Sequence, residues 1–248
     1  MTTRGCYNAR VSGEKQGIGR QTMEYAIQTD GLCKEFDGFR AVDDVSLRVE
    51  RGAFYGFLGP NGAGKSTTIK ILTGLMGPTA GDARVLGVDI HRDGLEVKRR
   101  IGIVPEDLCL FENLTAREYL TFIGRMYRLP RPVIEERREE LLSLLGLESE
   151  TRKLLLEFSH GMQKKVALAA ALIHDPDVLF LDEPFEGLDA LASRTIRLTL
   201  ERFVGRESTI FLSSHILAIV ERLCSHVGII HRGKLVTEGP LAELAAEG

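Results

Sequence analysis

Apolar positions along this chain change period from two to three or four and back again, which predicts an α/β fold. The stretch EYAIQTDGLCKEF, ending at Phe36, and the alternating Val45 to Val49 before an Arg51-Gly52 turn predict antiparallel strands near the start. Phe54 to Leu58 is a short apolar run entering a glycine-rich loop, and the segment from Lys65 to Leu75 continues as a helix. Ile101 to Val104 reads as a buried strand stopped by Pro105. From Thr115 to Tyr127, Leu120, Ile123 and Tyr127 share a helical face. Pro132 then opens a second helix where proline costs least, with a stripe of Val133, Ile134, Leu141, Leu142 and Leu145 and Gly146 as its C-cap. The stretch of about 113–158 thus holds helices and no strand signal, and is expected to form a helical subdomain inserted into the α/β core.

Alternation resumes beyond it. Helices are expected from Met162 to Ile173, Asp189 to Phe203 and Ile216 to Cys224, with strands at Val178 to Leu181, Thr209 to Leu212 and Val227 to Ile230. The final GKLVTEGPLAEL reads as a strand and a short terminal helix. Strands separated by helices imply a mostly parallel sheet covered on both faces.

Composition narrows the class. The 248 residues carry 32 Lys+Arg against 35 Asp+Glu, and a formal charge of −3 gives no basic footprint for nucleic acid. No apolar run approaches the roughly 20 residues of a membrane span. Cys6, Cys33, Cys109 and Cys224 are scattered without a CxxC pair, so reduced thiols are expected rather than a disulfide framework. Residues 1–22 show neither period and are expected to be a loose extension, with the folded domain spanning 23–248. His91, His174, His226 and His231 read as ordinary surface or turn histidines.

The chemistry starts at Gly59-Pro-Asn61-Gly62-Ala63-Gly64-Lys65-Ser66-Thr67, which fits GxxxxGK[ST] between a strand and a helix. Glycines let consecutive N–H groups wrap a polyphosphate, and Lys65 neutralises the outer phosphates. The Ser66 hydroxyl can ligate Mg²⁺. The strand Val178-Leu-Phe-Leu-Asp182 ends in two adjacent carboxylates on the carboxyl edge that a parallel sheet shares with the loop. Asp182 is suited to hold Mg²⁺ and Glu183 to polarise an attacking water. His215, after Ser213-Ser214, ends another core strand where a γ-phosphate is within reach.

Taken together, these residues resemble the nucleotide-binding subunit of ABC transporters, from about Ala26 to Leu244. The segment Phe158-Ser159-His160-Gly161-Met162 is similar to that family's LSGGQ signature in the SxGM form of single-domain exporter ATPases. Pro184-Phe-Glu-Gly-Leu-Asp189 looks like its D-loop, and His215 matches its switch histidine. Phe36 falls where the family stacks an aromatic on adenine, with Phe39 as a competitor. The resemblance implies a RecA-like P-loop NTPase core with an N-terminal antiparallel β-subdomain and the inserted helices. It also implies ATP and Mg²⁺ as cofactors and a head-to-tail homodimer or heterodimer. Each ATP would lie between one loop and the other subunit's Ser159-His160-Gly161, and a separately encoded membrane permease would be driven from the cytoplasmic face.

Three positions depart from the family pattern. Glu106 replaces the usual glutamine and remains able to ligate Mg²⁺; His160 and Met162 alter the signature; Glu186 replaces a small D-loop residue. Leu108, Leu110 and Phe111 beside Glu106 form an apolar cluster suited to a membrane partner, or equally, for any one of them, to filling the local core. The alternatives are an ABC ATPase acting on DNA or ribosomes, disfavoured by the charge balance, and a nucleotide-sensing regulator without turnover, disfavoured by Glu183 and His215.

Overall fold

The computed structural model describes residues 25–150, 152–204, 208–244 and 246. The expected extension at 1–22 and Cys6 lie outside them. The chain opens with β1 (Tyr25–Phe36), β2 (Phe39–Val45), β3 (Arg48–Glu50) and β4 (Phe54–Leu58), followed by α1 (Lys65–Leu72). β5 (Ala80–Val85), β6 (Val88–Asp89), α2 (Gly94–Arg100) and β7 (Ile101–Val104) come next, then α3 (Ala116–Met126) and α4 (Arg131–Leu144). The remainder is α5 (His160–Leu172), β8 (Val178–Asp182), α6 (Ala190–Val204), β9 (Thr209–Ser214), α7 (Leu217–Leu223), β10 (His226–His231), β11 (Lys234–Pro240) and α8 (Leu241–Leu244).

Two sheets result. The strands β2, β1, β5 and β6 pair in that order, with β3 also on β1, all antiparallel. The larger sheet runs β11-β10-β4-β9-β8-β7, parallel except for the β10–β11 edge. Alternation along its central strands sorts side chains to two covered faces. Tyr55, Phe57, Phe180 and Phe211 join Ile69, Ile71 and Leu72 of α1 and the antiparallel sheet. Phe54, Leu179, Leu181, Ile210 and Leu212 join the opposite cluster with α5 and α6. Phe211 centres the first face, its ring 5.3 Å from those of Tyr55 and Phe57 and 5.7 Å from that of Phe180.

Between the parallel neighbours β7 and β8 the chain makes α3, α4 and α5. Thr115 caps α3 by accepting from Glu118 N while the Glu118 carboxylate accepts from Thr115 N, a reciprocal box that fixes where the helix starts. Pro132 sits in the first turn of α4, and Gly146 follows it at φ 65°, as expected of a left-handed cap. Leu120, Ile134, Leu141 and Leu142 run without a break into Val166, Leu168 and Leu179, so these helices share a core with the sheet.

Some boundaries differ from the sequence reading. Val45 to Val49 is not one strand: β2 ends at Val45, Asp44 turns at φ 57°, and β3 starts at Arg48. The elements β2, β5, β6 and α2 were not foreseen. Helix α2 buries only Val97, and β5 buries only Ala83 and Val85, so neither carries a sustained apolar period.

His174 lies half-buried in the turn after α5, as the turn reading has it, but it is not a free surface ring. Its ring stacks on Tyr127 at 3.7 Å, and Nε2 stands 2.9 Å from the Ile101 carbonyl, which can only accept, so Nε2 carries the proton. Nδ1 is buried without a hydrogen-bond partner. Burial pushes the ring's pKa down to about 4, against the Ile101 bond and the nearby Asp175 and Asp177, with Arg137 adding to the depression. Below the ordinary value of about 6.5 the unfolded chain takes a proton that the folded ring refuses. Stability is therefore expected to fall as pH drops from 6.5 towards 4, by about 3 kcal/mol at most from this group. Denaturant titrations across that window should show a shallower fall for His174→Phe, which keeps the stack; equal slopes would remove His174 from the account.

Candidate functional site

The larger sheet brings its chemistry to one edge. Pairing aligns Leu58 with Ser214 and Asp182 with Ser213, so the loop after β4, the acids ending β8 and the polar end of β9 are neighbours. Glu106 follows β7 on the same edge. Ligands of open parallel sheets sit at such carboxyl ends.

The loop from Gly59 to Gly64 is shaped by close approaches. A Cβ on Gly59 would lie 2.3 Å from the Ile230 carbonyl, and one on Gly64, at φ 110°, equally close to that of Ala41. Only glycine fits either place. Gly64 opens α1 with no side-chain cap, which leaves the helix's first N–H groups available to an anion. Asn61 and Gly62 are exposed, Ala63 is buried, and Thr67 is half-buried at the start of α1.

Lys65 is 5% exposed. Its Nζ donates to the carbonyls of Gly59 at 2.8 Å and Pro60 at 3.1 Å. It also stands 3.2 Å from Glu183 Oε1, an ion pair between two side chains that are both 5% exposed. Glu183 Oε1 is buried and accepts no hydrogen bond. The other oxygen, Oε2, lies 3.1 Å from His215 Nδ1; a carboxylate only accepts, so that nitrogen carries the proton. His215 is about one-third exposed and forms the wet side of the group.

A second oxygen cluster lies beside this one. Asp182 Oδ1 accepts from Ser213 Oγ at 2.6 Å and lies 3.2 Å from Ser66 Oγ, which is also 3.4 Å from Glu106 Oε2. One hydroxyl proton cannot serve both carboxylates. Burial raises the Asp182 carboxyl above the usual range, opposed by the bonds from Ser213 and Ser66 and reinforced by Glu183. Among the described residues no three His, Cys, Asp or Glu side chains form a metal cluster. One hydroxyl and two carboxylates, all oxygen, nevertheless suit Mg²⁺, which keeps waters and takes its remaining ligands from a phosphate.

The other sequence-derived positions lie apart. Ser159 caps α5, accepting from Met162 N at 3.3 Å, and His160 packs beside Gly187. Gly161 faces Ala192, where a Cβ would come within 3.2 Å. Asp189 uses its carboxylate to cap α6 through Ala192 N at 2.7 Å. No hydrogen bond or ion pair among the described residues joins Ser159, His160 or Gly161 to the phosphate loop. Phe36 is 41% exposed at the β1–β2 turn with Lys34 Nζ 5.1 Å over its ring, and Phe39 is more exposed still. Leu108 and Leu110 pack partly into the core, whereas Phe111 stands out against Phe122 at 5.3 Å.

Two residues of the site went unread in the sequence. Ser213 links Asp182 to the main chain by accepting from Glu183 N at 3.0 Å while donating to Asp182. Lys164 is 3% exposed beneath the acids. Its spacing to Leu168 and Ala171 on the buried face of α5 was the available signal.

Comparison with known proteins identifies the family. Residues 42–186 match the family described as ABC transporter. Bacitracin transport ATP-binding protein BcrA of Bacillus licheniformis is 41% identical over 223 residues, 90% of this chain and 72% of its own length. Daunorubicin resistance ATP-binding protein DrrA3 of Streptomyces coeruleorubidus is 37% identical over 222 residues, 90% of this chain and 70% of its own. A solved structure of the ATP-binding subunit of an ABC transporter superposes with a TM-score of 0.83 at 32% identity, covering 90% of this chain and 92% of the other. The chain belongs to the ABC transporter family, as one of its ATP-binding, ATP-hydrolysing subunits.

Proposed function

We propose that this subunit powers export of a solute through a separate membrane permease, hydrolysing Mg²⁺-ATP at sites shared by two ATP-binding subunits on the cytoplasmic face. The observation that carries the catalytic part is the meeting of Lys65, Ser66, Asp182, Glu183 and His215 at one sheet edge. Export is supported by the names of the relatives in bacitracin transport and daunorubicin resistance. A separate permease is supported by the relatives' names as ATP-binding proteins of transport and resistance systems; among the described residues no helix is long and apolar enough to cross a membrane. In this reading residues 23–248 form one ATP-binding domain with the helices of about 113–158 inserted, and 1–22 are an extension.

The loop N–H groups of Asn61 to Thr67 bind the phosphates, and Phe36 stacks on the base. Bound Mg²⁺, held by Ser66, Asp182 and Glu106, supplies charge neutralisation for the phosphate oxygens. Within the chain the site is self-paired, since Lys65 is held by Glu183. A γ-phosphate competes for that ammonium, and its capture frees Glu183 to take a proton from water. His215 orients the carboxylate through Oε2 and reaches the phosphate from the exposed side. Ser159, His160, Gly161 and Asp189 close the second subunit's site, which accounts for their lying apart from the loop within one chain. The exposed Phe111 and Phe122 beside Glu106 offer the permease an apolar foothold.

Two substitutions test this. Glu183→Gln should lower steady-state ATP turnover by about 10²-fold or more. Because the variant also releases Lys65, ATP should bind more tightly and hold an ATP-dependent dimer measurable by light scattering. Unchanged turnover would sink the assignment of Glu183. Lys65→Ala should abolish nucleotide binding measured by calorimetry; retained micromolar affinity would mean that another group supplies the charge.

A further inference from the structure

We propose that Lys164 is a positioning residue for hydrolysis, fixing the backbone turn that aims the Glu183 carboxylate; this rests on Glu183 being the base. Lys164 lies in the second turn of α5 and is almost fully buried. Its Nζ donates to the main-chain carbonyls of Glu183 at 2.9 Å and Glu186 at 2.8 Å. Those carbonyls belong to the turn Glu183-Pro184-Phe185-Glu186, closed by Glu186 N donating to Glu183 O at 3.2 Å. One ammonium therefore holds both ends of the four-residue segment that leaves the β8 edge.

The turn needs holding. Glu183 has φ 46°, in the left-handed region where a residue with a long side chain is strained, and such a backbone persists only when its surroundings over-determine it. Its N–H is fixed by Ser213 Oγ and its carbonyl by Lys164, so the peptide groups on both sides of the strained Cα are anchored. With both fixed, the carboxylate has only its own torsions left with which to find Lys65 and His215.

The chemistry of Lys164 argues against a mere packing role. An ammonium buried against carbonyls rather than against a carboxylate is costly in an apolar setting. Burial depresses its pKa, countered by the field of Glu186, Glu183, Glu106 and Asp182. A packing role needs only the four-carbon stem, whose surroundings are Val104, Leu168, Leu181, Pro184 and Ile196 around a cavity of about 10 Å³. That space is apolar and at the lower limit for one water, so it offers little room for solvent beside the stem. Methionine is the informative replacement, because it fills the space and donates nothing. The contact also gives α5, whose first turn carries Ser159 to Gly161, a direct grip on the segment bearing Glu183.

The test is a double-mutant cycle on the full chain, read by single-turnover hydrolysis of radiolabelled ATP, nucleotide affinity and thermal unfolding. Lys164→Met should lower the hydrolysis rate about 10-fold or more, with ATP affinity changed by less than about 3-fold. In a Glu183→Gln background the same change should alter the residual rate by less than about 2-fold, since a residue that acts through Glu183 has nothing left to act on. If Lys164→Met does not fold, Lys164→Gln, which keeps a shorter donor, is read against the same thresholds. A rate within about 2-fold of the parent would overturn the proposal, as would an equal loss in both backgrounds or a loss matched by weakened ATP binding and early melting. A Glu183→Gln variant with normal turnover would instead remove the base assignment itself, whatever Lys164→Met does.

Discussion

The register of three parallel strands is the constraint from which the site follows. Leu58 opposes Ser214, and Ser213 opposes Asp182, so the ends of β4, β9 and β8 arrive at one level. A slip of one residue in any of them would turn its terminal side chain to the other face of the sheet. The aromatic layer resists that slip. Tyr55 and Phe57 from β4 and Phe180 from β8 close on Phe211 of β9, and on a period of two a one-residue slip would turn its strand's ring out of that layer. Packing on one side of the sheet thereby sets the hydrogen bonds at its edge.

Electrostatics then explains why that edge holds together before any ligand arrives. Asp182 and Glu183 are adjacent, buried and alike in charge, an arrangement that would disperse without compensation. Hydroxyls from Ser66 and Ser213 serve the first, and Lys65 and His215 serve the second. The two carboxylates are kept on separate partners. That separation is what allows two neighbouring groups of the same type to take different roles, one toward a metal and one toward a proton.

Much of this was legible in order along the chain. The phosphate loop announces itself because the close approaches at Gly59 and Gly64 leave no alternative to glycine, and the acids because an apolar strand ends abruptly in them. The rest depended on contacts between distant segments. Nothing local in Ser213, His174 or Lys164 tells that one holds Asp182, another stacks on Tyr127 and the third holds a turn 19 to 22 residues away. Short elements such as β6 and α2 were invisible for a different reason. They bury too few side chains to imprint a period, and they exist because longer neighbours pair with or pack on them.

The departure at Glu106 also looks different in three dimensions. Taken alone, a carboxylate in that place adds charge to a site already rich in acids. In the structure, Ser66 lies between the Glu106 and Asp182 carboxylates, Lys65 pairs with Glu183, and the buried Lys164 ammonium lies in the field of all three acids. Carboxylates outnumber ammonium groups there, and a bare triphosphate at the loop would meet repulsion from the Glu106 and Asp182 side. Ser66, Asp182 and Glu106 would together hold a divalent cation, whose charge would offset that repulsion. In the proposed function the carboxylate that departs from the motif would therefore make nucleotide binding depend more steeply on the metal, because without it the loop and its acids would pull in opposite directions.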